Sequence, residues 1–211
     1  MAYKAIILDL DGVICSTDHY HYLAWKSLAD ELGVYFDERI NNRLRGVSRM
    51  ASLEIVLEKY GKPLTDDEKG ALATKKNDRY RELLKNMSTA DLTLEVRQTL
   101  DALRQRGLKL AIGSSSKNTP TILSRIGLGN YFDTISDGNN ITRSKPDPEV
   151  FTKAAEMLGF APSVCLVVED AKAGIEAAIA GGFDSAAIGD AVSCGLATYN
   201  LSTFADLLKY T

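Results

Sequence analysis

Cysteine is scarce in this chain of 211 residues. The three present, Cys15, Cys165 and Cys194, form no C-x-x-C pair and no Cys/His spacing. An odd, scattered set argues against a disulfide framework or a zinc site and reads as reduced thiols. A basic excess is missing too. With 25 Lys and Arg against 28 Asp and Glu the formal net charge is −3, so there is no cationic field to hold nucleic acid. No apolar run approaches the roughly 20 residues that span a bilayer. The amino-terminal stretch carries carboxylates where a signal peptide is apolar. A cytoplasmic chain with no membrane or nucleic-acid partner is expected, and a monomer, since no large apolar face is left unexplained. What is present is ordinary for a globular protein: 45% hydrophobic and 25% charged residues, enough chain to bury a sizeable core.

Short apolar runs alternate with amphipathic stretches through most of the sequence. Strands are predicted at 3–8, 108–112, 132–136, 164–168 and 184–188, with helices at 94–106, 119–127, 148–159, 171–181 and 202–209. This alternation implies an α/β fold with a doubly wound parallel sheet. Residues 17–87 break the pattern and read as three or four helices with no strand. The expected organisation is therefore a core domain, 1–16 and 88–211, with a small helical cap domain, 17–87, inserted after the first strand.

The carboxyl ends of the predicted strands are polar in a particular way. Asp9 and Asp11 follow the first, Ser114-Ser115-Ser116 the second, Lys145 comes after the third, and Glu169-Asp170 end the fourth. Ligands of open α/β sheets bind outside those ends. Taken singly, each residue has a plain structural reading: a turn aspartate, a helix cap at Asp170, or an N-cap at Thr119 before Pro120. Taken together, four carboxylates in one crevice repel unless some are protonated or a cation sits among them, and hard oxygen donors suit Mg²⁺. Hydroxyls and a lysine beside them suit phosphate.

The ordered motifs "DLDGV", "SSS", "SKPDPEVF" and "VVEDAKAGIEAA" resemble those of the haloacid dehalogenase superfamily of phosphoryl-transfer enzymes. The resemblance implies a Rossmann-like core in which Asp9 is the nucleophile forming an aspartyl phosphate and Asp11 the general acid and base. It implies Mg²⁺ held by the Asp9 carboxylate, the Asp11 main-chain carbonyl, Asp170, and Glu169 through water or directly. Ser114 and Lys145 would bind the transferring phosphoryl oxygens, with main-chain N–H groups near Leu10 and Ser115 completing the cradle.

The insert is similar to the helical cap of the β-phosphoglucomutase family in "H-x-x-A-W" from His21, "L-x-G-V-S-R" ending at Arg49, "S-L" at Ser52–Leu53 and "K-K-N-D-x-Y" from Lys75. By that resemblance Gly46, Val47, Arg49, Ser116, Lys117 and Asn118 would bind a sugar and its non-reacting phosphate. Ser115 would contribute through its backbone, and His21 and Lys76 would orient the sugar and Asp11. From its own stretch alone, Arg49 reads as a solvated arginine. The function implied is interconversion of β-D-glucose 1-phosphate and 6-phosphate through a bound bisphosphate. The alternatives are a sugar-phosphate phosphatase on the same core, or an idle Mg²⁺- or phosphate-binding module. The isomer of the Lys145–Pro146 bond is open at this level.

Overall fold

The computed structural model describes residues 3–211. The chain forms two compact units, Met1–Ser16 with Ser88–Thr211, and Thr17–Met87.

The first unit is built on a six-stranded sheet ordered β3-β2-β1-β4-β5-β6. The strands are β1 (Ala5–Leu8), β2 (Lys109–Gly113), β3 (Thr134–Ser136), β4 (Cys165–Glu169), β5 (Asp184–Ala187) and β6 (Tyr199–Asn200). Every pairing is parallel, with Leu8 opposite Ile112 on one side and Val168 on the other. Because β1 and β4 are buried on both faces, they read as unbroken apolar runs, which is why they were legible. Side chains alternate between faces. Ala5, Ile7, Cys165 and Val167 pack with Phe151, Ala154, Ala177 and Phe183 in one core layer. The helices of this unit are α5 (Leu94–Gln105), α6 (Thr119–Arg125), α7 (Glu149–Leu158) and α8 (Lys172–Ala180).

Three local expectations change. Strand β6 is two residues long and carries no readable pattern. The segment expected as a helix at 202–209 is a 3₁₀ helix, Phe204–Lys209, whose entry is closed by Asp206 accepting from the N–H groups of Ser202 (2.9 Å) and Thr203 (3.2 Å); so short a piece gains little from α geometry. Thr119 does not cap α6. Asn118 holds the N-cap position, and the Thr119 hydroxyl donates back to the Ser116 carbonyl at 2.9 Å.

The second unit holds α1 (Asp18–Leu32), α2 (Glu38–Asn42), α3 (Arg49–Leu57) and α4 (Asp66–Leu83). Its core joins Trp25, Leu28, Phe36, Leu44, Leu53 and Val56. Asp37, Ser48 and Thr65 cap α2, α3 and α4 through their side chains, supplying acceptors for otherwise orphaned N–H groups. Among the described residues no helix is long and apolar enough to cross a membrane.

Candidate active site

The sheet reverses its winding between β1 and β4, and a crevice opens there beyond the carboxyl ends of the strands. Asp9 leaves β1 at that point, its N–H donating to the Val168 carbonyl at 3.0 Å. The chain then turns sharply at Gly12, which sits at φ +84°, a conformation that side-chain-bearing residues rarely adopt. A Cβ there would also fall inside the Asp170 carboxylate. That glycine is thus required twice, by the turn and by the approach of Asp170. The α8 helix has no side-chain cap, so the simple capping role for Asp170 is not the one it plays. The 189–194 segment braces this residue, the Ala191 N–H donating to the Asp170 carbonyl at 2.8 Å.

Lys145 is buried, and its ammonium contacts both Asp9 Oδ1 and Glu169 Oε1 while lying 4.7 Å above the Phe151 ring. The peptide joining it to Pro146 is cis. Burial by itself would lower the lysine's pKa, but the Asp9 and Glu169 charges outweigh it and hold the ammonium charged. Asp9 moves upward. Burial is the main cause, and Glu169, Asp170 and Asp11 add to it against Lys145. Four carboxylates facing one ammonium leave excess negative charge in a dry place, the condition a divalent cation relieves.

No group of three or more His, Cys, Asp or Glu side chains among the described residues forms a metal cage. Two carboxylates with the Asp11 main-chain carbonyl and water are a donor set of the kind magnesium accepts. Asp9, Asp170 and the Asp11 carbonyl fit such an ion. Glu169 stands differently. One of its oxygens takes the Lys145 ammonium and the other accepts the Ala171 N–H at 2.8 Å. In this structure it holds the lysine; the resemblance gives it a contact to the metal through water or directly.

The loop after β2 is folded on itself. Ser114 is buried and its hydroxyl accepts the Ser116 N–H; the Ser116 hydroxyl accepts that of Asn118, both at 3.2 Å. The Ser115 hydroxyl is buried with no hydrogen-bond partner, in keeping with a role through its backbone. Asn118 is buried and Lys117 exposed. Sequence reasoning missed the support for this loop, the segment after β3. The Gly138 N–H donates to the Ser116 carbonyl (3.2 Å) and Asn139 Nδ2 to the Lys117 carbonyl (3.0 Å). The "SDGNN" turn residues at 136–140 were its only sequence signal.

In the helical unit Lys76 is buried, and its ammonium lies 4.6 Å from the Trp25 ring, 4.7 Å from Tyr80 and 2.9 Å from His21 Nδ1. An ammonium only donates, so Nδ1 accepts and a neutral ring carries its proton on Nε2. Burial first, then the Lys76 and Arg49 charges, push His21 well below the usual histidine range. Arg49 opens α3 half-buried, within electrostatic reach of Asp78 and Tyr80; it is not the freely solvated arginine that its stretch alone suggests. Gly46, at φ +72°, and Val47 form the half-buried turn before Ser48.

The haloacid dehalogenase-like hydrolase model matches residues 3–182. A β-phosphoglucomutase of Bacillus subtilis (strain 168) is 39% identical over 188 residues, which are 88% of this chain and 83% of that protein. A phosphorylated carbohydrates phosphatase of Thermotoga maritima is 30% identical, with 86% and 82% covered. Among solved structures, a β-phosphoglucomutase (pgmB) from Clostridium difficile superposes with a TM-score of 0.91 at 33% identity, covering 98% of this chain and 93% of that one. A sheet carrying Asp9 and Glu169-Asp170 at its strand ends, with Lys145 set against Asp9 and Glu169 and a family match running from β1 through α8, leaves one assignment: the chain belongs to the haloacid dehalogenase-like hydrolase family.

Proposed function

We propose that this protein is a β-phosphoglucomutase, interconverting β-D-glucose 1-phosphate and β-D-glucose 6-phosphate through an aspartyl phosphate and β-D-glucose 1,6-bisphosphate. The observation that carries phosphoryl transfer is the buried ammonium of Lys145 bridging Asp9 and Glu169. A charge held dry and aimed at the nucleophile's carboxylate is what a transferring phosphoryl group needs. Asp9 attacks the phosphorus of the bisphosphate, forming an O–P bond as the sugar oxygen leaves, and Asp11 returns the proton to that oxygen. The monophosphate so formed leaves and a substrate monophosphate takes its place. Asp11 removes the proton from its free hydroxyl, which takes the phosphoryl group from Asp9 and so regenerates the bisphosphate that turns around for the next cycle. Ser114 and Lys145 hold the phosphoryl oxygens throughout. Mg²⁺, held by Asp9, Asp170 and the Asp11 carbonyl, would neutralise charge on the phosphoryl group when bound.

Mutase is favoured over hydrolase by the similarity to β-phosphoglucomutases at 39% and 33% identity, which extends over most of the chain. A mutase must hold the sugar and its idle phosphate while excluding water. Effective molarities of about 10⁵ M or more let a well-placed hydroxyl outcompete bulk water. Arg49 and the N–H groups of Gly46 and Val47 ahead of α3 are the anion-binding groups for that purpose, with Ser116, Lys117 and Asn118 in the core unit. His21 and Lys76 orient the sugar. The second reading, a sugar-phosphate phosphatase, draws support from the 30% identical phosphatase.

One assay separates them. With β-glucose 1-phosphate, Mg²⁺ and trace bisphosphate, the mutase reading expects glucose 6-phosphate to form far faster than free phosphate. Free phosphate as the main product, unaffected by bisphosphate, overturns it in favour of the phosphatase. We take the protein to act as a cytoplasmic monomer.

A further inference from the structure

Gly174 lies buried in the first turn of α8, and its φ is not positive. Nothing in its backbone conformation demands glycine, and helices favour alanine at such a position. The reason lies in space. A Cβ built on Gly174 would fall inside the van der Waals envelope of Glu169 Cγ, Cδ and Oε1. That same Oε1 meets the Lys145 ammonium, while Oε2 is tied to the Ala171 N–H. Glu169 is only 1% exposed, so its carboxylate can yield only by turning within the site, away from the lysine. The opposite support of the lysine is seated in the same way. A Cβ on Gly113, also without a positive φ, would lie 2.6 Å from Cδ1 of Phe151, the ring beneath the ammonium.

We infer that Gly174 is a positioning residue for Lys145: its missing side chain seats the Glu169 carboxylate, which in turn holds the ammonium at the phosphoryl-binding end of the sheet. Methylation of this position, as in Gly174→Ala, forces the carboxylate to rotate away, and the lysine loses one of its two anionic partners. The inference rests on the proposed function only in taking Lys145 to meet a phosphoryl group. It holds equally for mutase and phosphatase.

The test is binding of inorganic phosphate, by calorimetry at constant Mg²⁺, to the wild type, Gly174→Ala, Glu169→Ala and the double variant. Gly174→Ala is expected to weaken phosphate binding about tenfold or more, the scale of one charge-assisted hydrogen bond. Its affinity for Mg²⁺ alone should stay within about twofold. Glu169→Ala removes Cγ, Cδ and both oxygens and so vacates the space, and adding Gly174→Ala to it should cost less than about twofold. An equal cost of the alanine in both backgrounds overturns the inference, because the glycine then acts by a route other than Glu169. Loss of Mg²⁺ affinity in step with phosphate also overturns it, by assigning Glu169 to the metal. Should Gly174→Ala alone fail to fold, the double variant is expected to fold, with a melting temperature at or above that of Glu169→Ala; a double variant that also fails sinks the idea. A wild type that binds no phosphate removes the proposed function itself. A wild type and a Gly174→Ala that bind it equally remove this inference alone.

Discussion

The two units each bury a lysine, and they hold it by opposite means. In the core unit Lys145 is neutralised by the carboxylates of Asp9 and Glu169, with one aromatic ring beneath. In the helical unit Lys76 lies against the faces of Trp25 and Tyr80 and beside a histidine ring. The first arrangement leaves a negative excess, suited to a metal and a nucleophile. The second sets the ammonium against aromatic faces, with its charge and that of Arg49 both acting on the neighbouring histidine. Burial of a charge therefore means different chemistry according to its partners.

The comparison can be broken, and the largest effect is expected from Asp9→Asn. It keeps shape but removes the proposed nucleophile, and isomer turnover should fall by about 10⁴-fold or more while the folded state persists. Turnover that survives the change would end the aspartyl-phosphate account. Next is Lys145→Ala, which leaves four carboxylates without their ammonium. Breaking such a buried pair costs about 3–5 kcal/mol, read as a lower midpoint in urea. An unchanged midpoint would mean that the cluster relaxes by taking up protons.

Arg49→Ala probes the other unit. Isomerisation should drop about 100-fold, the scale of a charged hydrogen bond set, with hydrolysis of acetyl phosphate nearly unchanged; matching losses would place no second phosphate at Arg49. Smaller again is a pH effect on folding. The folded-state pKa of His21 lies below the ordinary 6.5, so below about pH 6.5 the unfolded chain binds a proton that the folded chain does not. Stability is then whole above that pH and declines as pH falls toward the folded-state value. Lys76 on α4 and Arg49 on α3 are the charges behind this besides burial, and His21→Gln should flatten that part of the stability profile. The smallest change is Ser115→Ala. It removes a buried hydroxyl without a partner and should leave activity intact and stability equal or higher by about 1 kcal/mol; a loss of phosphate affinity would show that the hydroxyl itself binds.

Much of the core unit was legible because its causes are local. Tyr3 to Leu8 and Val164 to Val168 are apolar runs that only a strand buried on both faces explains, and the polar residues after them mark where the sheet ends. The Ser48 cap on α3 has a cause of the same local kind, since a cap concerns residues three apart. The Asn118 cap was not, because Thr119 and Pro120 suggested a start one residue later and the Thr119 hydroxyl found a carbonyl in the preceding turn. The 3₁₀ helix near the carboxyl terminus shares its periodic apolar residues with an α-helix and is distinguished only by length and packing.

The order and spacing of Asp9, Asp11, Ser114, Lys145, Glu169 and Asp170 along the chain determined the family and the class of chemistry, since strand ends of a parallel sheet must meet on one side. Which oxygen faces which nitrogen was decided by tertiary structure alone. Glu169 turned to Lys145 because Gly174 leaves room on that side and the Ala171 N–H holds its other oxygen, and Lys76 met His21 across 55 positions of sequence. Such pairings depend on volumes left empty by distant residues, and no local pattern encodes an empty volume.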